Sequence, residues 1–135
     1  MDAAFEYIGI SVGNLQAQKQ FYMAVFATDT IEAEMDLPDA GIRTVILRAS
    51  SGLRIELIER VGSVARPHIG PHEQSNTQGF SHLAVRVGNL ANAVRTVDRA
   101  GGTMVLPPTV AQRPGVQFAY VHDPEGNLLE LTSEV

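Results

Sequence analysis

The sequence has no cysteine and no tryptophan among its 135 residues. Without cysteine, disulfide bonds, thiolate catalysis and cysteine-ligated zinc are excluded. No apolar run approaches the roughly 18 residues that span a bilayer, and residues 1–6 are acidic and lack the features of a signal peptide. We therefore expect a cytoplasmic protein that does not enter a membrane.

Basic residues are also scarce: ten Lys and Arg are outnumbered by fifteen Asp and Glu, for a formal net charge of −5. This charge repels nucleic-acid phosphates and anionic lipid, and no local cluster of basic residues offsets it. A small molecule is therefore the expected partner, rather than nucleic acid or a membrane. With 44% hydrophobic residues, the chain can form one globular domain, 1–135.

An internal repeat is the most informative feature of the sequence. Residues 5–15 and 80–90 share Phe at the start and Val-Gly-Asn-Leu at the end, and residues 51–57 match 125–131 at nearly the same offset. Two separated matches at one offset predict a duplicated module.

The repeat divides the chain into module one, 1–66, and module two, 79–135, with a Pro- and Gly-rich linker at 67–78. In each module an alternating strand is followed by a helix, which begins after a capping asparagine (Asn14 or Asn89), and by three more strands. This pattern predicts an α+β fold of two βαβββ modules that form a cupped mixed sheet with helices on the outer face. The predicted strands are 5–12, 31–36, 42–49, 53–60, 80–87, 103–106, 116–122 and 127–133.

Side chains alternate across a strand, so each strand has a helix side and an open side. The apolar positions of strand 80–87 face the helix, which places His82 on the open side; the repeat places Tyr7 at the equivalent position. By the same alternation Glu56 and Glu130 project from the open side of the last strand of each module. If the modules put their open faces together, one His, one Tyr and two Glu converge.

Two carboxylates in one cavity are costly unless they are paired, hydrogen-bonded or bound to a cation. Oxygen donors and one imidazole suit a divalent ion such as Ni, Co, Mn, Fe or Zn. Other interpretations remain open: His82 can be a half-buried strand histidine, and Glu56 can pair with Arg43, Arg48 or Arg54.

Further candidates lie on the strand 116–122 and at the hairpin turns. Arg48 and His122 are repeat equivalents that can line the pocket mouth and meet an anionic substrate, or lie on the surface. Phe118 and Tyr120 are substrate-binding candidates or ordinary strand aromatics of the core.

His68 and His72 have the i, i+4 spacing of a helical metal pair, but neighbouring proline and glycine residues oppose that helix. We therefore expect no ligand role for them, although the linker that contains them can still form a mobile lid.

The second module resembles the vicinal oxygen chelate superfamily, which includes glyoxalase I, methylmalonyl-CoA epimerase, fosfomycin and bleomycin resistance proteins and extradiol dioxygenases. The resemblance is carried by residues 80–87, by the helix ending at Gly101 and Gly102, and by residues 123–131. It covers nearly the whole chain and implies the glyoxalase-like fold and a homodimer, with modules pairing within one chain or across two.

The resemblance also implies metal ligands on the first and last strand of each module, at Tyr7, Glu56, His82 and Glu130. The usual first ligand is His or Gln, so Tyr7 departs from the pattern, because a neutral phenol is a poor ligand. The remaining Glu-His-Glu set is nearest to glyoxalase I. It implies a metal-dependent lyase or isomerase that acts on a small carbonyl substrate through a metal-stabilised enediolate, with Glu56 or Glu130 moving the proton.

Two alternatives remain open, and the tyrosine at the first ligand position motivates the first of them. One is a metal-free protein that binds or sequesters a small molecule, as bleomycin resistance proteins do. The other is a metal-free enzyme in which Tyr7, Glu56 and His82 are the acid–base groups.

Overall fold

The computed structural model describes residues 1–135, which divide into two compact units, Met1–Ala65 and Arg66–Val135. The first unit contains β1 (Ile8–Val12), α1 (Leu15–Phe26), β2 (Thr30–Leu37), a 3-10 turn (Pro38–Ala40), β3 (Ile42–Arg48) and β4 (Arg54–Arg60). The second contains α2 (Pro71–Gln74), β5 (Leu83–Arg86), α3 (Leu90–Arg99), β6 (Thr103–Val110), β7 (Val116–His122) and β8 (Leu128–Glu134). None of the helices combines the length and apolar composition that a bilayer crossing requires.

Each unit holds one four-stranded mixed sheet, and the two sheets have the same strand order, β1-β4-β3-β2 and β5-β8-β7-β6. The first strand of each unit runs parallel to the last, and the other neighbours are antiparallel. The predicted α+β class and the repeated βαβββ order are therefore confirmed.

Each main helix begins at the asparagine that the sequence indicates. The side-chain oxygen of Asn14 accepts a hydrogen bond from the Ala17 amide at 3.0 Å, and that of Asn89 accepts one from the Asn92 amide at 2.8 Å. These bonds satisfy an amide that the first helical turn leaves without a partner, which typically stabilises a helix by about 1 kcal/mol.

The core of each unit lies between its main helix and one face of its sheet. Alternate residues of the two central strands are almost fully buried there, and each Val, Ile or Leu side chain among them contributes about 1.5–3 kcal/mol. In the first unit they are Val45, Leu47, Ile55 and Leu57; in the second they are Ala119, Val121, Leu129 and Leu131. The opposite faces of the same strands do not contact the helices and carry the polar residues Glu56 and Glu130.

Three predicted strand boundaries were wrong by three residues or more. β1 and β5 begin three residues later than predicted, at Ile8 and Leu83, so Tyr7 and His82 precede the strands that they flank. β6 continues to Val110, well beyond its predicted end at residue 106, although it contains Pro107 and Pro108. It is an edge strand, where proline interrupts no ladder, and its register shifts between Leu106 and Thr109.

Residues 66–78 lie with the second unit and are tied to its last hairpin. Arg66 Nη1 donates to Asn127 Oδ1 at 3.3 Å, and His122 bonds the backbone oxygen of Ile69. α2 starts only at Pro71, so His68 and His72 do not share a helix.

Candidate functional site

The open face of the second sheet carries a group of polar side chains around Glu130. In the strand ladder Glu130 lies between Ala84 of β5 and Tyr120 of β7. Paired residues in a ladder point to the same face, so the Tyr120 and Glu130 side chains are neighbours. His82, just before β5, reaches the same face.

His82 and Glu130 are in direct contact. His82 Nε2 lies 2.8 Å from Glu130 Oε2, and the side chains are 26% and 22% exposed, respectively. The pair is thus partly shielded from solvent. Of the four ligand positions implied by the resemblance, the structure brings these two together.

Two further side chains hold this pair in place. Ser81 Oγ lies 3.0 Å from His82 Nδ1, so both ring nitrogens have partners. Tyr120 donates its hydroxyl to Glu130 Oε2 at 3.4 Å, and its ring packs edge-on against the His82 ring, with 5.2 Å between centroids.

Burial raises the pKa of Tyr120, and the charge of Glu130 and the hydrogen bond to it raise that pKa further. Tyr120 therefore stays a neutral hydrogen-bond donor throughout the physiological range. Phe118 packs edge-on against Tyr120, with 5.8 Å between ring centroids, and both rings are half-buried. These two substrate-binding candidates form an aromatic wall beside His82 and Glu130.

His122, a third candidate on β7, is occupied elsewhere. Its side chain is buried, and Nε2 donates to the carbonyl oxygen of Ile69 at 2.6 Å. The His68 ring packs against it, with 5.5 Å between centroids. His122 thus fastens residues 66–78 to β7, whereas its repeat equivalent Arg48 is exposed. Their contact with substrate stays a prediction.

In the first unit Tyr7 is 37% exposed, and the guanidinium of Arg54 lies 5.8 Å from its ring centroid. Arg54 also bonds the side chains of Glu6 and Glu32. Arg54 therefore pairs with the segment that leads into β1 and with β2 rather than with Glu56.

Glu56 lies between Gly9 and Ile46 in the ladder of the first sheet. Neither neighbour has a side-chain donor. Arg43, another suggested partner of Glu56, instead donates to Glu59 at 2.6 Å. The Glu56 side chain is half-buried, and neither Arg43 nor Arg54 is its partner.

The donors at His82 and Glu130 suit a divalent metal by their chemistry. Imidazole and carboxylate are common ligands of borderline and hard ions. The structure assembles no group of three or more His, Asp or Glu side chains that could hold a metal, so Glu56 as third ligand stays a prediction.

Sequence reasoning missed Ser81 and the role of Arg54. Adjacent residues of a strand point to opposite faces, so the pattern gives no reason to place Ser81 beside His82. The contact forms because both residues precede β5 and are free of its alternation. For Arg54, its position two residues before Glu56 gave no sign of the acidic partners Glu6 and Glu32.

The chain belongs to the Glyoxalase/Bleomycin resistance protein/Dioxygenase superfamily, whose family model matches residues 4–131. The fold and the pair of donors on β8 and before β5 are consistent with this membership. The resemblance seen in the sequence is thereby confirmed.

Among relatives, the chain is 27% identical over 130 residues to lactoylglutathione lyase GLX1 of Arabidopsis thaliana. That alignment covers 94% of this chain but 43% of the plant protein, so the chain spans less than half the length of this relative.

Two solved structures show the same fold. A glyoxalase family protein from Enterococcus faecalis has a TM-score of 0.75 at 23% identity, covering 96% of both chains. The fosfomycin resistance protein FosX of Listeria monocytogenes, determined with Mn(II) and sulfate, has a TM-score of 0.69 at 14% identity, covering 100% of this chain and 95% of that one.

Proposed function

We propose that this protein is a metal-dependent lyase or isomerase that acts on a small carbonyl-containing substrate by proton transfer. The observation that carries the proposal is the contact between His82 Nε2 and Glu130 Oε2 at 2.8 Å on an open sheet face. His82 and Glu130 are the proposed metal ligands from the second unit, and Glu56 is the proposed third ligand.

A bound divalent ion, whether Ni, Co, Mn, Fe or Zn, supplies a Lewis acid that makes the carbon next to a carbonyl more acidic. Glu130 is already held by His82 and Tyr120 through one oxygen, Oε2. Glu56 has no arginine partner, so we propose it as the carboxylate that accepts the proton. Tyr120, kept neutral by its raised pKa, can donate a hydrogen bond to a substrate oxygen.

The comparisons support this proposal in part. The Arabidopsis relative is a lactoylglutathione lyase, and the FosX structure contains Mn(II). The aromatic wall of Phe118 and Tyr120 would bind the substrate, with Arg48 and His122 as further contacts. We further propose a homodimer in the cytoplasm, with assembly to be measured by sedimentation.

The test is a zinc and manganese titration of the chelator-treated protein by calorimetry. We expect one site per chain with micromolar or tighter affinity, and a loss of at least 100-fold in His82→Ala and Glu130→Ala. Glu56→Gln tests the third ligand, and Glu73→Gln, a carboxylate outside this group of residues, is the matched control. If the wild type binds neither ion at micromolar concentrations, the metal-dependent mechanism is lost.

A second candidate function is metal-free binding of a small molecule. It is favoured by Tyr7 at the first ligand position, where Arg54 places a positive charge against the ring. In this case Tyr7→His creates metal binding that the wild type lacks. Tight wild-type binding of one metal per chain contradicts this candidate, while turnover that survives metal removal identifies a metal-free enzyme using Tyr7, Glu56 and His82.

A further inference from the structure

Both ring nitrogens of His82 have partners of different chemistry. Nε2 faces Glu130 Oε2 at 2.8 Å, and Nδ1 faces Ser81 Oγ at 3.0 Å. A neutral imidazole has one N–H and one lone pair, and an ionised carboxylate can only accept. In the metal-free protein the proton therefore belongs on Nε2, where it is donated to Glu130. Nδ1 is then an acceptor, and Ser81 must donate its hydroxyl to it.

Metal binding demands the opposite arrangement. If Nε2 is a ligand, its lone pair must face the ion, so the ring proton moves to Nδ1 and needs an acceptor there. A hydroxyl meets both demands, because it can donate in one state and accept in the other by rotating about its C–O bond. A backbone carbonyl or a carboxylate at the position of Ser81 could accept only.

We infer that Ser81 is a positioning residue that holds the His82 ring in place and follows its proton from Nε2 in the free protein to Nδ1 in the metal-bound one. The metal-bound half of this inference rests on the proposed function. The metal-free half concerns the free chain alone and stands without it.

The equivalent positions of the first unit lack both the imidazole and the hydroxyl beside it. The repeat places Glu6 and Tyr7 where the second unit has Ser81 and His82. Glu6 is bonded to Arg54, and a tyrosine has no second ring nitrogen to be satisfied. The hydroxyl partner thus accompanies the only imidazole among the four ligand positions.

Nitrogen-15 NMR of the histidine rings at pH 8, where histidine is ordinarily neutral, tests the inference. His82→Gln identifies the resonances of His82. In the metal-free wild type we expect protonated Nε2 and a hydrogen-bonded Nδ1 acceptor. In Ser81→Ala the Nδ1 resonance moves toward that of an unbonded acceptor, while Ser81→Thr, which keeps the hydroxyl, restores it. Ser63→Ala, an exposed loop position, is the control.

Zinc titration of the same variants tests the second half. Loss of a partner behind a metal-bound histidine typically weakens binding by about 10- to 100-fold. We expect at least a 10-fold loss in Ser81→Ala, near-complete rescue in Ser81→Thr, and a shift of the His82 proton to Nδ1 on zinc binding.

The inference is overturned if Nδ1 is protonated in the metal-free wild type, or if Ser81→Ala leaves the Nδ1 resonance and zinc affinity unchanged. A wild type that binds no zinc removes the proposed function and the metal-bound half together. The metal-free spectra still decide whether Ser81 orients the ring, so the two failures are distinguishable.

Discussion

The two units have the same strand order and equivalent ladder registers, yet they treat their last-strand carboxylates differently. Glu130 has Tyr120 beside it in the ladder and His82 across from it, and receives a bond from each. Glu56 has Ile46 and Gly9 as its ladder neighbours and is bonded by neither. The shared backbone sets where a carboxylate points, and the neighbouring side chains decide whether it is held or free.

The units also differ in how the helix covers the sheet. α3 packs on β6, β7 and β8, whereas α1 packs mainly on β3 and β4. A groove of about 350 Å³ remains in the first unit, lined in part by Leu15, Lys19, Asp36 and Arg43. The start of α1 is held to β4 by Glu59, whose carboxylate accepts a hydrogen bond from the Leu15 amide at 2.7 Å.

The largest expected difference between the units is at the glycine before the last strand. Gly52 and Gly126 hold equivalent positions with φ of +96° and +89°. A Cβ at Gly52 meets no atom within 4 Å, but at Gly126 it would overlap the His68 ring. Gly52→Ala should therefore cost about 1–2 kcal/mol for the backbone alone, and Gly126→Ala about 2–5 kcal/mol with the added overpacking.

Urea unfolding of both variants measures this difference. Equal losses in the free energy of unfolding would show that residues 66–78 are not packed against the second unit's hairpin. Gly126→Ala combined with His68→Ala should recover the excess loss and leave only the backbone cost.

A smaller effect concerns Glu59 of β4, whose repeat equivalent in β8 is Ser133. The Leu15 amide first, and then Arg43, hold the pKa of Glu59 below its usual value. A lowered pKa stabilises the fold above the unfolded pKa, near 4.5, and the stability is lost as pH falls through the folded pKa. Glu59→Gln should cost about 0.3–1 kcal/mol at pH 7 and flatten the acid side of the stability profile.

The free energy of unfolding, measured from pH 7 to pH 3 for the wild type and Glu59→Gln, checks this prediction. Glu134→Gln, at an exposed position of the second unit, is the control. An unchanged acid limb in Glu59→Gln, or an equal change in Glu134→Gln, would show that Glu59 does not anchor α1.

The smallest expected effect is on the ionisation of Tyr120. Burial is the main cause of its raised pKa and Glu130 the second, so Glu130→Gln should lower the pKa only part of the way toward 10. Because that pKa is raised, the associated stability is present below pH 10 and lost as pH rises through the folded pKa. Carbon-13 NMR of labelled tyrosine, assigned with Tyr120→Phe, follows the titration.

Glu56→Gln is the matched control, since Glu56 faces Ile46 in its own sheet rather than a tyrosine. A fall in the Tyr120 pKa as large in Glu56→Gln as in Glu130→Gln would contradict the assignment of the effect to the β7–β8 neighbour.

Much of the fold follows from local rules. The repeat, the strand alternation and the asparagine caps predicted the βαβββ order and the side on which His82, Glu56 and Glu130 lie. The edge position of β6 could not be foreseen, because only the pairing of the strands shows that Pro107 and Pro108 lie in an edge strand, where its register with β7 shifts. For the same reason the strand was predicted too short.

The candidate site was predicted as a set of positions and not as a set of bonds. Alternation has a period of two residues, so it reports the face of a side chain and nothing about its partners. The sequence by itself determined the two modules, the missing cysteine chemistry and the residue types at the ligand positions. Only the tertiary structure decided that Ser81 bonds His82 and that Tyr120 bonds Glu130. It also decided that His122 bonds the backbone of Ile69. Arg54 likewise pairs with Glu6 and Glu32 only through the fold. Those contacts join residues distant in sequence or outside the strands, where side-chain reach and competition between donors select the partner.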